Sequence, residues 1–413
     1  MSSLGTRAAR VVGATAAALS VSVVATLATA IPAAAGPVVY PSPVNDTFYS
    51  APVDLGAYRP GDVLSVRPAP APVGFVDTDV VQIRYRSVDS LGNPVAAVTT
   101  VLSPHHAVPG RPVLSYQHII NGLGLQCAPS QALYTQDPDL AIREAPALNV
   151  ALQQGWTVAI PDHLGPDSAY GAVRLGAQLT LDGIRAVQRL PQLGLADSPV
   201  ALAGYSGGGM TTAMAAALAS TYAPELRIVG SAFGGAPLSI EKMARGLGEE
   251  SHPAFGLAMA AALGLEREYP DAMPVTPTLN THGLALRDSI ANACTNGILA
   301  HGAGQSLSDV ADADAAFALL DRPAVQTVLD ANSVEQTPEV PTAPVYEWHA
   351  SDDVLIPVDS ITATLRRYCD AGVPVRSEVV SSPDHLSAAV IGLPGALQFL
   401  DDRFAGVPPT STC

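Results

Sequence analysis

Short apolar runs alternate with longer segments of helical period along most of this chain, and glycine and proline punctuate them. Residues 80–86 alternate apolar and polar, as a half-buried strand does. Residues 95–102 follow after the turn signal Gly92-Asn93-Pro94, which predicts an antiparallel pair. Residues 112–116 read as a third strand. Residues 145–154 read as a helix closed by Gly155, and 156–160 as the next strand. Segment 172–189 carries leucine, isoleucine and valine at helical spacing. The wholly apolar run 199–203 fits a buried parallel strand, and the proline-free, alanine-rich segment 208–222 fits a helix. Further strands are predicted at 227–233, 345–349 and 375–380, with a helix over 360–371 and with 397–404 as part of a final helix.

Strands alternating with helices imply a mostly parallel sheet covered by helices on both faces, an α/β fold. The alternation breaks between about 236 and 335, where glycine, alanine and proline mark short helical pieces without a clear strand. A stretch of roughly a hundred residues is too long for a plain loop, so it predicts a helical insertion. Residues 36–78 are proline-rich and predict an irregular N-terminal arm. The core is then expected in two parts, 79–235 and 336–413.

The first 35 residues read as a secretory signal peptide. Arg7 and Arg10 precede an apolar stretch at 11–30, and Ala33-Ala34-Ala35 supplies a small-residue cleavage site, which implies a secreted protein. The stretch could nearly span a bilayer, but its alanine, serine and threonine content and Pro32 favour the signal over an anchor. Losing two arginines and no acid would take the formal charge from −16 to −18. Such an acidic chain is a poor partner for nucleic acid, whose binding rests on neutralising phosphates. The four cysteines, Cys127, Cys294, Cys369 and Cys413, all lie beyond the signal. An even number in an exported chain suggests two disulfides, for which three pairings exist. None of the cysteines is spaced for a zinc site, and the scattered His252, His282 and His301 lack ligand spacing. No metal or other cofactor is expected, and a monomer is.

The candidate chemistry centres on Gly204-Tyr205-Ser206-Gly207-Gly208. This G-x-S-x-G pattern, set between a predicted strand and a predicted helix, places a serine on a sharp turn with its hydroxyl exposed. A serine needs a base to act as a nucleophile. On this architecture the chain order is serine, acid, histidine. The acid is expected after a late strand, where Asp353 is the candidate and the adjacent Asp352 the alternative. His385, in Pro383-Asp384-His385, is the only histidine beyond Asp353 and is expected in the loop before the last helix. An oxyanion would need two main-chain donors. Gly207 follows the serine, and Asn121, or alternatively Gly122, lies in the glycine-containing loop after the third strand. Asp162-His163 reads as structural.

Several segments resemble the secretory lipase family of fungal lipase A type and its bacterial relatives: Ala151-Leu152-Gln153-Gln154-Gly155, Asp162-His163-Leu164-Gly165, Leu181-Asp182-Gly183-Ile184-Arg185, the serine pentapeptide, residues 222–226 and 348–357, and Asp384-His385-Leu386. The match runs from about residue 127 to 399. It implies an α/β-hydrolase fold with a helical cap, hydrolysis of acyl-lipid esters, and possible brief contact of the cap with a lipid interface. It also implies a Ser206, Asp353, His385 triad, and disulfides pairing Cys127 with Cys294 and Cys369 with Cys413. Asn121 stands where the family's loop has an aspartate, a change that a main-chain donor tolerates. A short-chain carboxylesterase or acyltransferase would use the same residues, and a peptidase on this fold is a more distant reading. A catalytically silent surface or binding protein is the reading from outside the enzymes.

Overall fold

The computed structural model describes residues 37–413, apart from 120, 121, 136, 138, 139 and 141. The segment 1–35, read above as a signal peptide, therefore lies outside the described residues. Among those described, nine strands form one sheet: β1 (Val63–Ala69), β2 (Thr78–Val88), β3 (Pro94–Pro104), β4 (Val113–Gln117), β5 (Thr157–Pro161), β6 (Val200–Tyr205), β7 (Ile228–Gly234), β8 (Val345–Ala350) and β9 (Val375–Val380). Their order is β1-β2-β3-β5-β4-β6-β7-β8-β9. The first three strands and β5 are joined by antiparallel pairing, whereas β5, β4, β6, β7, β8 and β9 run parallel. Every residue of β4, β5 and β6 is buried, as expected of strands covered on both faces.

Between β4 and β5 lie α1 (Pro129–Ala132) and α2 (Ala145–Gln153), and α3 (Val173–Arg189) and α4 (Gly207–Tyr222) flank β6. Between β7 and β8 the chain forms α5 (Ile240–Gly248), α6 (Phe255–Glu268), α7 (Thr281–Ile290), α8 (Thr295–Gly302), α9 (Leu307–Val310), α10 (Ala313–Leu320) and α11 (Pro323–Ala331). Helix α12 (Val358–Asp370) precedes β9, and α13 (His385–Phe404) follows it. One apolar core joins α3, α4 and the α5–α11 region to one face of the sheet. The other sets Leu148 and Leu152 of α2 and Phe399 and Leu400 of α13 against Leu114, Ala203, Tyr346 and Trp348. Gly392 lets α13 lie close, because a Cβ there would fall on the Trp348 ring.

Two elements differ from the sequence reading. The arm was expected to be irregular, yet β1 lies within it and pairs with β2 through Val66 and Ile83. Its Pro68 hides the strand signal and is tolerated because an edge strand has a free side. The last helix starts at His385, well before residue 397. Asp384 caps it by accepting from the Ser387 amide at 2.8 Å. The exposed Pro394 inside this helix makes the segment read as interrupted.

Disulfides join Cys127 to Cys294, tying the helical region to the loop after β4, and Cys369 to Cys413. Arg267 of α6 adds to the first junction by donating to the carbonyl oxygens of Leu123 (2.7 Å), Ser168 (3.1 Å) and Ala291 (2.8 Å).

Beneath α3, the fully buried Asp182 accepts from Ser87 Oγ (2.6 Å), Tyr222 Oη (2.7 Å) and Arg185 Nη1 (2.8 Å). Asp182 thus joins β2, α3 and α4. Asp182→Ala would strand these donors and is expected to lower unfolding free energy by about 3–5 kcal/mol. Urea unfolding measures this, and a loss below about 1 kcal/mol would contradict the network's importance.

Candidate active site

The chain reverses its winding direction beside β4, which places the carboxyl ends of β4 and β6 at a topological switch point, where open α/β sheets bind their ligands. Ser206 sits there between β6 and α4, with φ +54° and ψ −122°. Few non-glycine residues hold positive φ, and here the surroundings enforce it. A Cβ at Gly208 would fall on the carbonyl oxygens of Gln117 and His118, and one at Gly204 would meet Thr212 and the Gly208 backbone. The Ser206 amide donates to the Gly234 carbonyl at 2.8 Å, so the turn is also tied to the end of β7.

His385 Nε2 lies 2.9 Å from Ser206 Oγ, and His385 Nδ1 lies 2.6 Å from Asp353 Oδ2. A carboxylate only accepts, so Nδ1–H is the donor to Asp353 and Nε2 is left to accept from the serine hydroxyl. Asp353 and His385 are buried, and Ser206 is partly exposed. The Leu355 amide donates to Asp353 Oδ1 at 3.0 Å, fixing the carboxylate within its own turn. Asp352, by contrast, is exposed and accepts from Ser351 Oγ at 3.0 Å. The structure thus brings Ser206, His385 and Asp353 together and leaves Asp352 outside. Tyr205 supports the set, because its hydroxyl donates to the His385 carbonyl oxygen at 2.5 Å.

Gly207 opens α4, where amides lack helical partners, and lines the same cavity as Ser206. Asn121 lies outside the described residues. Gly122 is built into the disulfide junction: it bridges Cys294, and its carbonyl accepts from Ser168 Oγ at 2.9 Å. Among the described residues, it does not line the cavity around Ser206.

Sequence reasoning missed Glu144, the residue before α2. Its side chain makes no helix cap and turns instead to the end of β4. There Oε1 accepts from Tyr116 Oη (3.2 Å) and the Ile119 amide (3.3 Å) and lies 3.0 Å from His118 Nδ1. Although burial opposes ionisation, the neighbouring His118 and the main-chain amides of Ile119 and of Glu144 itself hold its pKa down at about 2. A lone acid before a helix carries no signal that its partners lie some twenty-five residues earlier.

The cavity over Ser206 measures about 240 Å³ and is mostly apolar. His118, Ile119 and Met210 line it from the core side, and Met243, Leu257 and Leu299 from the helical region. A hydroxyl bonded to an imidazole whose second nitrogen a carboxylate holds can pass its proton to that ring while attacking a carbonyl carbon. Among the described residues, no group of three histidine, cysteine, aspartate or glutamate side chains could hold a metal.

A family model described as Secretory lipase matches residues 139–412. Lipase A of Arthroderma benhamiae is 32% identical over 392 residues, covering 90% of this chain and 81% of that protein. A Mycobacterium tuberculosis protein named "Probable inactive lipase MT1628" is 33% identical over 378 residues, covering 89% and 84%. The closed-state crystal structure of Candida antarctica lipase A superposes with a TM-score of 0.84 at 30% identity, covering 91% and 89% of the two chains.

Asp162 belongs to a different cavity from Ser206 and accepts from the Ser130 amide (2.9 Å) and hydroxyl (2.5 Å). Burial raises its pKa to about 7 against these bonds. The folded state therefore binds this proton more tightly than the unfolded state does. The resulting stability is fully present below about pH 4 and is lost as pH rises towards 7. Thermal melts between pH 4 and 8 should show wild-type stability declining relative to Asp162→Asn across that window. Parallel curves would contradict the assignment.

Proposed function

The chain belongs to the secretory lipase family and hydrolyses esters, and we propose that it cleaves acyl-lipid esters through an acyl-enzyme on Ser206. His385 takes the serine proton as Oγ attacks the ester carbonyl, and Asp353 holds the ring in the required tautomer and steadies the imidazolium that forms. The negative oxygen of the tetrahedral intermediate is received by the Gly207 amide and by a main-chain amide of the loop after β4, which is Asn121 in this reading. Collapse of that intermediate breaks the bond to the alkoxy oxygen, which leaves as the alcohol with the proton from His385, and water then attacks the acyl-enzyme by the same steps to release the acid and free Ser206. The observation that carries this reading is the continuous hydrogen-bonded line from Ser206 through His385 to Asp353, at a strained turn that opens into an apolar cavity.

In the same reading, residues 236–335 form a cap that receives the acyl chain. Met243, Leu257 and Leu299 supply apolar walls for it, and each buried methylene contributes about 0.8 kcal/mol. The cap also meets the lipid interface. Residues 1–35 direct export and are removed, so the enzyme works outside the cell, where its disulfides persist. The enzyme acts as a monomer.

Ser206→Ala and His385→Ala are expected to lower kcat by about 10⁴- to 10⁶-fold, and Asp353→Asn by about 10⁴-fold, while Asp352→Asn leaves it near wild type. Steady-state hydrolysis of octanoate esters measures this, and retained activity in Ser206→Ala would overturn the mechanism. Octanoate and palmitate esters should be cleaved at least as well as butyrate. A rate that collapses beyond butyrate would replace the lipid reading with that of a short-chain esterase and leave the triad standing.

A further inference from the structure

A second apolar cavity, about 300 Å³, lies between α2 and α13, and none of its lining residues comes from α5–α11. Leu386, Ala389, Leu393 and Leu397, on one stripe of α13, form one wall. Leu148 of α2 stands across from them, and Ala203 of β6 lies at the floor. It lies beside the cavity over Ser206, and Ile119, Arg143 and Leu386 form walls of both. The surface beside it continues the apolar character: Val390 is 71% and Ile391 49% exposed. An apolar groove continued by exposed apolar side chains is a surface of the kind that marks ligand-binding grooves. We propose that this groove binds the hydrocarbon chain of the ester's alcohol, so that acyl and alcohol chains run in separate channels that meet at Ser206.

The assignment of channels rests on the triad reading and on where the leaving oxygen must lie. When the tetrahedral intermediate collapses, the bond from the carbonyl carbon to the alkoxy oxygen breaks. The electron pair stays on that oxygen, and the proton on His385 Nε2 moves to it. The alcohol therefore departs on the histidine side. His385 is the first residue of α13 and lines the cavity over Ser206, and Leu386, next to it, lines both that cavity and the groove. The channel against the helical region is left for the acyl chain.

Two ester series with opposite asymmetry separate the channels. With acetate esters, lengthening the alcohol from ethyl to octyl should raise kcat/KM at least tenfold in the wild type, since each methylene taken from water adds binding. Ala389→Phe and, separately, Leu393→Trp fill the groove. Each should lower the ratio of kcat/KM for octyl acetate to that for methyl octanoate at least tenfold. The proposal is overturned if wild-type kcat/KM is flat along the alcohol series, if filling the groove leaves the ratio unchanged, or if methyl octanoate suffers the larger loss. The wild-type series needs no substitution and decides even where a variant fails to fold. Failure of the triad reading shows separately, as octyl acetate hydrolysis that survives Ser206→Ala.

Discussion

Everything at the candidate site depends on how closely the chain approaches itself around Ser206. The turn between β6 and α4 holds a serine at φ +54°, in a region that costs an ordinary residue about 1–3 kcal/mol. It persists because β6 and the first three turns of α4 are buried, and because Gly204 and Gly208 leave no room for relaxation. Gly208 lies directly on the Gln117 and His118 carbonyls, so the same contact that constrains the serine turn also sets how closely the start of α4 approaches the end of β4. The loop after β4 is held from its other side by Glu144. The serine and the loop facing it are thus fixed by one packing constraint.

The remaining parts attach to that turn. Tyr205, one residue before the serine, binds the main chain of His385 and so couples β6 to the start of α13. Asp353 reaches the histidine from the turn after β8, its other oxygen held by the Leu355 amide. The helical region is joined to the core near the same place, through Cys127–Cys294 and the carbonyl oxygens gathered by Arg267.

Much of this was legible in the sequence, for a physical reason. The buried parallel strands read as apolar runs, and the serine turn needs glycines at fixed offsets, so both leave local marks. Order along the chain then pointed to His385 and to Asp353, with Asp352 left as the alternative. What stayed hidden depends on contacts distant in sequence or on marks that cancel. Pro68 masked β1, and Pro394 masked the first half of α13. Glu144 resembles any surface acid until the fold sets it against Tyr116 and Ile119. The groove between α2 and α13 is a space rather than a motif, and no pattern of residues announces it.

The most direct test of the central claim is covalent. A fluorophosphonate probe reacts with a serine only where a base activates it, and digestion followed by mass spectrometry locates the adduct. The account predicts stoichiometric labelling of the peptide containing Ser206, abolished in His385→Ala. A folded, ester-cleaving wild type that stays unlabelled, or carries the adduct on another residue, would contradict it.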